Sequence, residues 1–171
     1  METIVKYIKE NVCDPWAGAI FEGYKFLNNK QKGMVGEIYT SELMKSLNHK
    51  VLPASSSGHD RIIDEIKTEI KFSLGITDSK TQKIKDNSFM LNHVSKGKDW
   101  DRLIFVGINK NLNQIAKFMT RENFILCLNE TNYFSFQQGG ATVENDDYMC
   151  TGTKLITLLN SKYMEDISNW N

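Results

Sequence analysis

The segment 103–108, with the letters LIFVGI, is the part of this sequence that most restricts the possible folds. Every residue in it except Gly107 carries a large apolar side chain. A continuous run of this kind is typical of a central strand buried on both faces. Together with the helices predicted before and after it, this strand indicates an α/β fold, in which a mixed central sheet of about five strands is flanked by helices.

Apolar periodicity predicts the other elements of this fold. The predicted helices cover 3–12, 17–27, 32–48, 120–129 and 154–163. Further strands are predicted at 51–54, 114–119 and 133–136. Pro53 places the first of these strands at an edge of the sheet, because proline cannot donate a ladder hydrogen bond. Thr120 is a suitable N-cap for the helix that follows it, and the segment 87–95 has mixed helical character.

Two short runs that are rich in β-branched and aromatic residues, 61–63 and 68–72, predict a β-hairpin. A two-residue turn at Asp64 and Glu65 would fix its antiparallel register. That register pairs Ile63 with Ile66, Ile62 with Lys67, Arg61 with Thr68 and Asp60 with Glu69. Asp-Glu is a weak turn pair, and a loop of three or four residues would shift the register.

The predicted register gathers charged groups on one face of the hairpin. Asp60 and Glu69 lie opposite each other, and Lys71 shares their face because side chains alternate along a strand. Lys71 would lie opposite Gly58, which has no side chain and leaves space for a ligand. Paired carboxylates suit Mg²⁺, which takes oxygen ligands and keeps several waters. A lysine beside them can orient or stabilise the hydroxide that attacks phosphorus.

The region from about 32 to 108 resembles the PD-(D/E)XK nuclease superfamily, which includes many type II restriction endonucleases. The resemblance rests on Gly36-Glu37 in a predicted helix, Asp60 at the start of a strand and Glu69-Ile70-Lys71 on the next strand, in the family's order and approximate spacing. His59 stands where the family motif has its proline. The resemblance also implies a helix between the hairpin and the buried strand.

On this resemblance, Asp60, Glu69 and the carbonyl of Ile70 would bind one or two Mg²⁺ ions. Lys71 would assist the nucleophilic water. Glu37 would be an auxiliary acid, either near the first metal or on a second one. Two simpler interpretations stay open: Glu69 and Lys71 as an ion pair on a solvated strand, and Glu37 as a solvent-facing helix residue.

Candidate DNA contacts lie outside the hairpin. Local basic density matters more for DNA binding than net charge, which is zero here. The first candidates are basic residues that follow the hairpin, Lys80, Lys83 and Lys85, although a solvated loop would carry similar residues. Gln137 and Gln138 could read adenine edges or simply belong to a polar turn. His59 adjoins the site and would contact a phosphate or serve a structural role.

The composition predicts one domain, 1–171, with its catalytic core at about 32–108. Cys13, Cys127 and Cys150 are widely spaced, which predicts buried free thiols in a reducing cytoplasm. No apolar run is long enough for a membrane span, and no signal peptide is expected at the start of the sequence.

The leading functional prediction is a Mg²⁺-dependent endonuclease for double-stranded DNA, a cytoplasmic prokaryotic type II restriction enzyme with a short site. Because one metal site cuts one strand, we expect a homodimer with twofold symmetry. Two alternatives stay open. One is a repair or junction-resolving nuclease of the same superfamily, and the other is a non-catalytic DNA-binding module with the same fold.

Overall fold

The apolar run lies in strand β5, Arg102–Ile108, inside a six-stranded mixed sheet. The computed structural model describes residues 2–78, 83–137 and 146–171, without the side chains of 7–11. β5 pairs in parallel with β3, Ile66–Leu74, and antiparallel with β6, Gln114–Thr120. The predicted α/β class with flanking helices is confirmed, and the main sheet has six strands rather than about five.

The other elements extend this sheet or cover it. The main sheet has the order β1-β2-β3-β5-β6-β9. Its remaining strands are β1 (Val51–Pro53), β2 (Arg61–Ile63) and β9 (Glu165–Asp166). A second sheet contains β4, Met90–Ser95, β8, Asp147–Thr151, and β7, Ser135–Phe136, in that order. The helices are α1, Glu2–Val12, α2, Asn29–Ser46, α3, Arg121–Glu130, and α4, Gly152–Leu159. None of these described helices combines the length and the apolar character that a bilayer crossing requires.

Alternate side chains of β5 enter two separate hydrophobic cores. Leu103 and Phe105 belong to a core built with β4, α3 and α4. Ile104 and Val106 belong to a second core that α2 and the C-terminal residues complete. Burial on both faces explains why the strand is continuously apolar. The two sides of the neighbouring strand β3 therefore also face different cores.

The helix predicted at 17–27 is wrong. The chain there forms turns and a short 3-10 helix, Tyr24–Phe26. Gly18 and Gly23 have φ angles of 77° and 84°, in the left-handed region that glycine adopts without a steric penalty. The Asp14 carboxylate accepts from the backbone N–H groups of Trp16 and Gly23, at 2.9 and 2.6 Å. These local bonds replace the helical ones.

The helix expected between the hairpin and the buried strand is also wrong within the described residues. The segment 87–95 contains β4, which pairs with β8. A β-bulge between Leu91 and Val94, with His93 at a φ of 54°, turns both of these side chains into the core. Apolar residues three positions apart therefore imitate helical spacing in what is actually a strand.

Other boundaries follow from local hydrogen bonds. The Asn28 side chain accepts from the Gln31 N–H in a capping box, so α2 begins three residues earlier than predicted. The Thr120 hydroxyl accepts from the Asn123 N–H, which confirms the predicted cap of α3. The edge strand containing Pro53 is confirmed as β1. The short strands β8 and β9 were not predicted.

The two-residue hairpin turn is confirmed. β2 and β3 pair Ile63 with Ile66, Ile62 with Lys67 and Arg61 with Thr68. Asp64 and Glu65 have φ angles of 49° and 71°, as a type I′ turn requires. The Asp64 carboxylate accepts from the Lys50 N–H at 2.8 Å and lies 2.6 Å from His49 Nδ1. These tertiary bonds stabilise a turn that the Asp-Glu pair favours only weakly by itself.

Gly36 allows α2 to approach β3 closely. A Cβ atom at this position would lie 2.4 Å from the Phe72 Cβ, whereas one at Gly33 would meet nothing within 4 Å. We expect Gly36→Ala to lower the free energy of unfolding by about 1–3 kcal/mol because the helix must move away. Gly33→Ala is the control and should raise it by about 0.5–1 kcal/mol. Urea denaturation measures both, and equal effects would contradict the close contact.

The three cysteines are free thiols, and two of them are buried as predicted. Cys13 is exposed, so the prediction of burial is wrong there. Burial raises the pKa of the Cys150 thiol to about 12, and it also raises the pKa of Cys127. Both buried thiols therefore stay protonated at neutral pH, a state in which cysteine is a poor nucleophile.

Candidate active site

The hairpin brings the predicted acids together at the end of β2. Asp60 immediately precedes β2, and its N–H donates to the Thr68 carbonyl at 2.9 Å. This bond takes Asp60 out of the regular ladder, so the predicted direct pairing with Glu69 is replaced. The Asp60 carboxylate turns back to β3, where Oδ2 accepts from the Ile70 N–H at 2.7 Å.

Glu69 is a buried carboxylate held by two ammonium groups. Lys71 Nζ lies 2.8 Å and Lys98 Nζ lies 3.3 Å from the same Glu69 oxygen, Oε1. The ion pair predicted for Glu69 and Lys71 exists, yet it is not on a solvated face: their side chains are 2% and 15% exposed. A buried carboxylate is costly without such partners. The fold therefore maintains a cluster of charges at β3, made by Glu69, Lys71 and Lys98.

The pKa of Asp60 is raised from its usual range. Burial is the largest cause, and the negative charge of Glu69 is the next. The Ile70 N–H bond and Lys71 act in the opposite direction without cancelling the rise. An ionised Asp60 thus retains uncompensated negative charge beside Glu69, and a cation placed between the two carboxylates would relieve it.

Oxygen atoms remain at this cluster to hold a cation. Hydrogen bonds and ion pairs within the described chain engage Asp60 Oδ2 and Glu69 Oε1, and leave Asp60 Oδ1 and Glu69 Oε2 without a partner. The Ile70 carbonyl points to the same edge of β3 as the Ile70 N–H, which meets Asp60. Two carboxylates and a carbonyl fit Mg²⁺, which retains several waters. In the part of the chain described, no three His, Cys, Asp or Glu side chains form a metal-binding group.

Arg121 fixes the loop that carries Lys98. At the start of α3, its guanidinium donates to the carbonyls of Lys96, Lys98 and Trp100 and lies 5.6 Å from the centre of the Trp100 ring. Lys98 is a site residue that the sequence motifs do not identify. Lys98 is 29 residues from Glu69, and no local pattern links the two.

Glu37 is linked to Asp60 through Arg61, a position compatible with the predicted auxiliary acid beside the metal ligands. Its Oε2 lies 2.7 Å from Arg61 Nη1, and the same nitrogen donates to the Asp60 carbonyl at 2.7 Å. Arg61 Nε also donates to the Ser41 hydroxyl. Glu37 is therefore neither a free surface residue nor in contact with the carboxylate oxygens of Asp60 and Glu69. It holds the backbone of Asp60 through Arg61.

His59 supports the loop before Asp60. It is 4% exposed, its Nδ1 lies 3.1 Å from the Asp99 carbonyl, and its Nε2 accepts from the Ser55 N–H. Burial makes this ring unsuitable for the predicted DNA contact. The ligand space expected at Gly58 is also absent, because a Cβ there would lie 2.7 Å from the Asp99 Cβ.

The remaining predicted DNA contacts belong to segments of the chain other than the hairpin. Lys83 and Lys85 are exposed between β3 and β4, and Lys85 pairs with Asp78 at 2.8 Å. Gln137 follows β7, and its Oε1 accepts from the His93 N–H at 3.4 Å. Lys80 and Gln138 lie outside the described residues.

No family model and no curated protein matches this chain. The chemistry of the site therefore rests on its own geometry. Two neighbouring carboxylates can hold a hard cation, and an adjacent ammonium can stabilise developing negative charge. Such a cluster suits hydrolysis of an anionic ester by an activated water.

Proposed function

We propose that this protein is a Mg²⁺-dependent endonuclease that hydrolyses phosphodiester bonds in double-stranded DNA. The observation that carries the proposal is the half-buried Asp60 beside the buried Glu69, with Lys71 on the same strand as Glu69. A purely structural ion pair would need only Glu69 and Lys71. The second carboxylate, placed where its ionisation is unfavourable, is better explained by a bound cation.

Each residue of the cluster has a distinct role in this proposal. Asp60, Glu69 and the Ile70 carbonyl hold Mg²⁺, which supplies Lewis-acid stabilisation and a more acidic water when bound. Lys71 orients that water and stabilises the attacking oxygen. Lys98, whose side chain is 43% exposed, contacts a phosphate of the bound strand.

The resemblance to PD-(D/E)XK nucleases narrows the proposal to a prokaryotic, cytoplasmic type II restriction enzyme with a short site. A cut through both strands requires two active sites, so the proposed enzyme acts as a homodimer. A repair nuclease with the same chemistry is the second candidate. The two candidates differ in the DNA that they cleave.

Digestion of a plasmid of known sequence tests this function. With Mg²⁺ we expect defined fragments whose mapped ends share a short sequence, and no fragments in EDTA. Cleavage restricted to mismatches or four-way junctions would assign a repair role instead. A protein that binds DNA but shows no saturable Mg²⁺ or Mn²⁺ site in calorimetry would be a non-catalytic module.

Glu37 is expected to act as a positioning residue. Glu37→Gln weakens the bond that orients Arg61 and thereby loosens Asp60, so we expect the cleavage rate at saturating DNA to fall about 10–100-fold. The KM for DNA should change little, because Glu37 does not face the substrate. Single-turnover kinetics measure the effect.

Glu42→Gln provides the matched control for Glu37→Gln. Glu42 lies on the same helix and pairs with Lys45 on the surface. A loss in Glu37→Gln that appears only in KM would contradict the positioning role, and so would an equal loss in Glu42→Gln.

A further inference from the structure

A groove of about 620 Å³ runs beside the edge of β3 that the hairpin leaves open. β2 pairs with β3 only as far as Thr68, whereas β3 continues to Leu74. The 3-10 helix Tyr24–Phe26 and the first turns of α2 form one wall of the groove. The strand β4 forms the other wall, and Lys71 lies between them.

The charge of this groove is one-sided. Lys25, Lys32 and Lys71 line it, together with His93, and the described lining residues include no aspartate or glutamate. The whole chain carries 21 basic and 21 acidic residues. A groove without acids in a chain of zero net charge is complementary to a polyanion.

The two walls offer different chemistry. Lys25 and Lys32 stand on the helical wall, where Lys25 Nζ donates to the Cys13 carbonyl and Lys32 Nζ lies 5.7 Å from the centre of the Tyr24 ring. Each ammonium keeps donors for a phosphate. The opposite wall presents Asn92, an uncharged side chain that both donates and accepts, and beside it His93.

The bulge fixes the position of Asn92 and His93 on this wall. The left-handed φ of His93 re-aims the strand at this point. The His93 ring lies 2.9 Å from Asp147 Oδ2, and its backbone N–H donates to Gln137. Bonds to β8 and to the end of β7 therefore brace the bulge. A braced side chain reads a ligand more selectively than one on a free loop.

We infer that the groove holds the DNA strand next to the cleaved phosphate, with Asn92 and His93 as determinants of sequence specificity. The inference rests on the proposed nuclease function and adds the substrate path to it. Phosphates lie along Lys25 and Lys32, and base edges face the bulge of β4. Asparagine can bond bidentately to adenine, which gives a physical basis for base preference.

An extended peptide is the competing occupant. An open strand edge presents unpaired backbone groups, which peptides use to extend a sheet. Lys25 and Lys32, together with the lack of acids in the described lining, favour a polyanion over a neutral peptide. The neighbouring Lys71 also places the groove directly at the proposed chemistry.

The first experiment measures DNA binding without cleavage. Labelled duplex is titrated with protein in Ca²⁺ at several salt concentrations. Lys25→Ala with Lys32→Ala should weaken binding to every sequence and reduce the slope of log K against log salt by about 1.8, or about 0.9 for each lost phosphate contact. The charge-matched control is Lys45→Ala with Lys162→Ala, because both lysines are exposed outside the groove. An unchanged slope in the groove variant would overturn the inference.

The second experiment measures base preference by sequencing the ends of a cleaved random library. Asn92→Ala and His93→Ala should each relax the preference at one or two positions, whereas Asn129→Ala on α3 should not. Preferences identical to the wild type in both bulge variants would refute their role.

A wild type that binds through Lys25 and Lys32 without cutting would refute the nuclease but keep the groove as a DNA site. Binding of an acidic peptide that duplex DNA cannot displace would assign the groove to a peptide.

Discussion

Replacing Lys71 with alanine is expected to lower the single-turnover rate of Mg²⁺-dependent DNA cleavage about 10²–10⁴-fold. Lys71 is the ammonium closest to the Glu69 carboxylate, at 2.8 Å, and it also lines the groove. Its removal takes away the charge that stabilises the attacking oxygen, while Asp60 and Glu69 remain to hold the cation. The affinity for Mg²⁺ should therefore change much less than the rate.

Lys98→Ala separates chemistry from substrate binding at the same carboxylate. Lys98 contacts the same Glu69 oxygen at 3.3 Å from a more exposed position. We expect this variant to raise the KM for DNA and to change the rate at saturation only several-fold. Lys45→Ala on the outer surface of α2 controls for general loss of charge. A Lys71→Ala protein that keeps its fold by circular dichroism and cuts at the wild-type rate would refute the active site.

Asp60→Asn is expected to abolish cleavage and to raise the thermal stability of the protein. Burial and the charge of Glu69 raise the pKa of Asp60 in the folded state, so the ionised carboxylate destabilises the fold at neutral pH. Asparagine removes that charge and can still accept from the Ile70 N–H. It also removes a metal ligand, and we expect a rate loss of at least about 100-fold.

The sign of this stability effect depends on pH. Above the raised folded-state pKa, Asp60 is ionised in both states and its cost is fully present. The advantage of Asp60→Asn should shrink as the pH falls through that pKa and vanish below the unfolded value of about 3.9. Melting curves from pH 7.5 to 3.5, in EDTA, measure this trend.

Asp166→Asn is the control with the opposite sign. Hydrogen bonds from the backbone N–H and hydroxyl of Ser168 lower the pKa of Asp166, so its carboxylate stabilises the fold above the unfolded-state pKa. That substitution should lower the melting temperature at neutral pH and lose its effect as the solution becomes acidic. A melting temperature for Asp60→Asn below that of the wild type at pH 7.5 would contradict the strained carboxylate.

The parts of the site that the sequence predicted well are those that depend on local alternation. The turn at Asp64-Glu65 fixes the register of β2 and β3, and alternation along β3 then places Lys71 on the same face as Glu69. The buried run in β5 likewise needed no tertiary information, because a strand covered on both sides is apolar at every position.

Long-range packing changed the interpretation of single residues. Periodicity allowed a surface position for Glu37, the family resemblance placed it beside the metal ligands or on a second metal, and only the structure brings it to Arg61, which is 24 residues away. The bulge in β4 gave a helical spacing because one inserted residue turns two side chains three positions apart to the same side. Sequence periodicity cannot distinguish a bulged strand from a helix here, since both give the same apolar pattern.

The sequence by itself determined the central strand, the hairpin and the order of Asp60, Glu69 and Lys71, because these follow from the geometry of a strand and a two-residue turn. The tertiary structure alone decided that Glu69 is buried beside Lys98, that Arg121 holds the Lys98 loop, and that α2 and β4 form a groove along the open edge of β3. Burial and charge proximity arise only when distant segments pack together, and these two quantities turn an ordinary Glu-Ile-Lys sequence into a candidate active site.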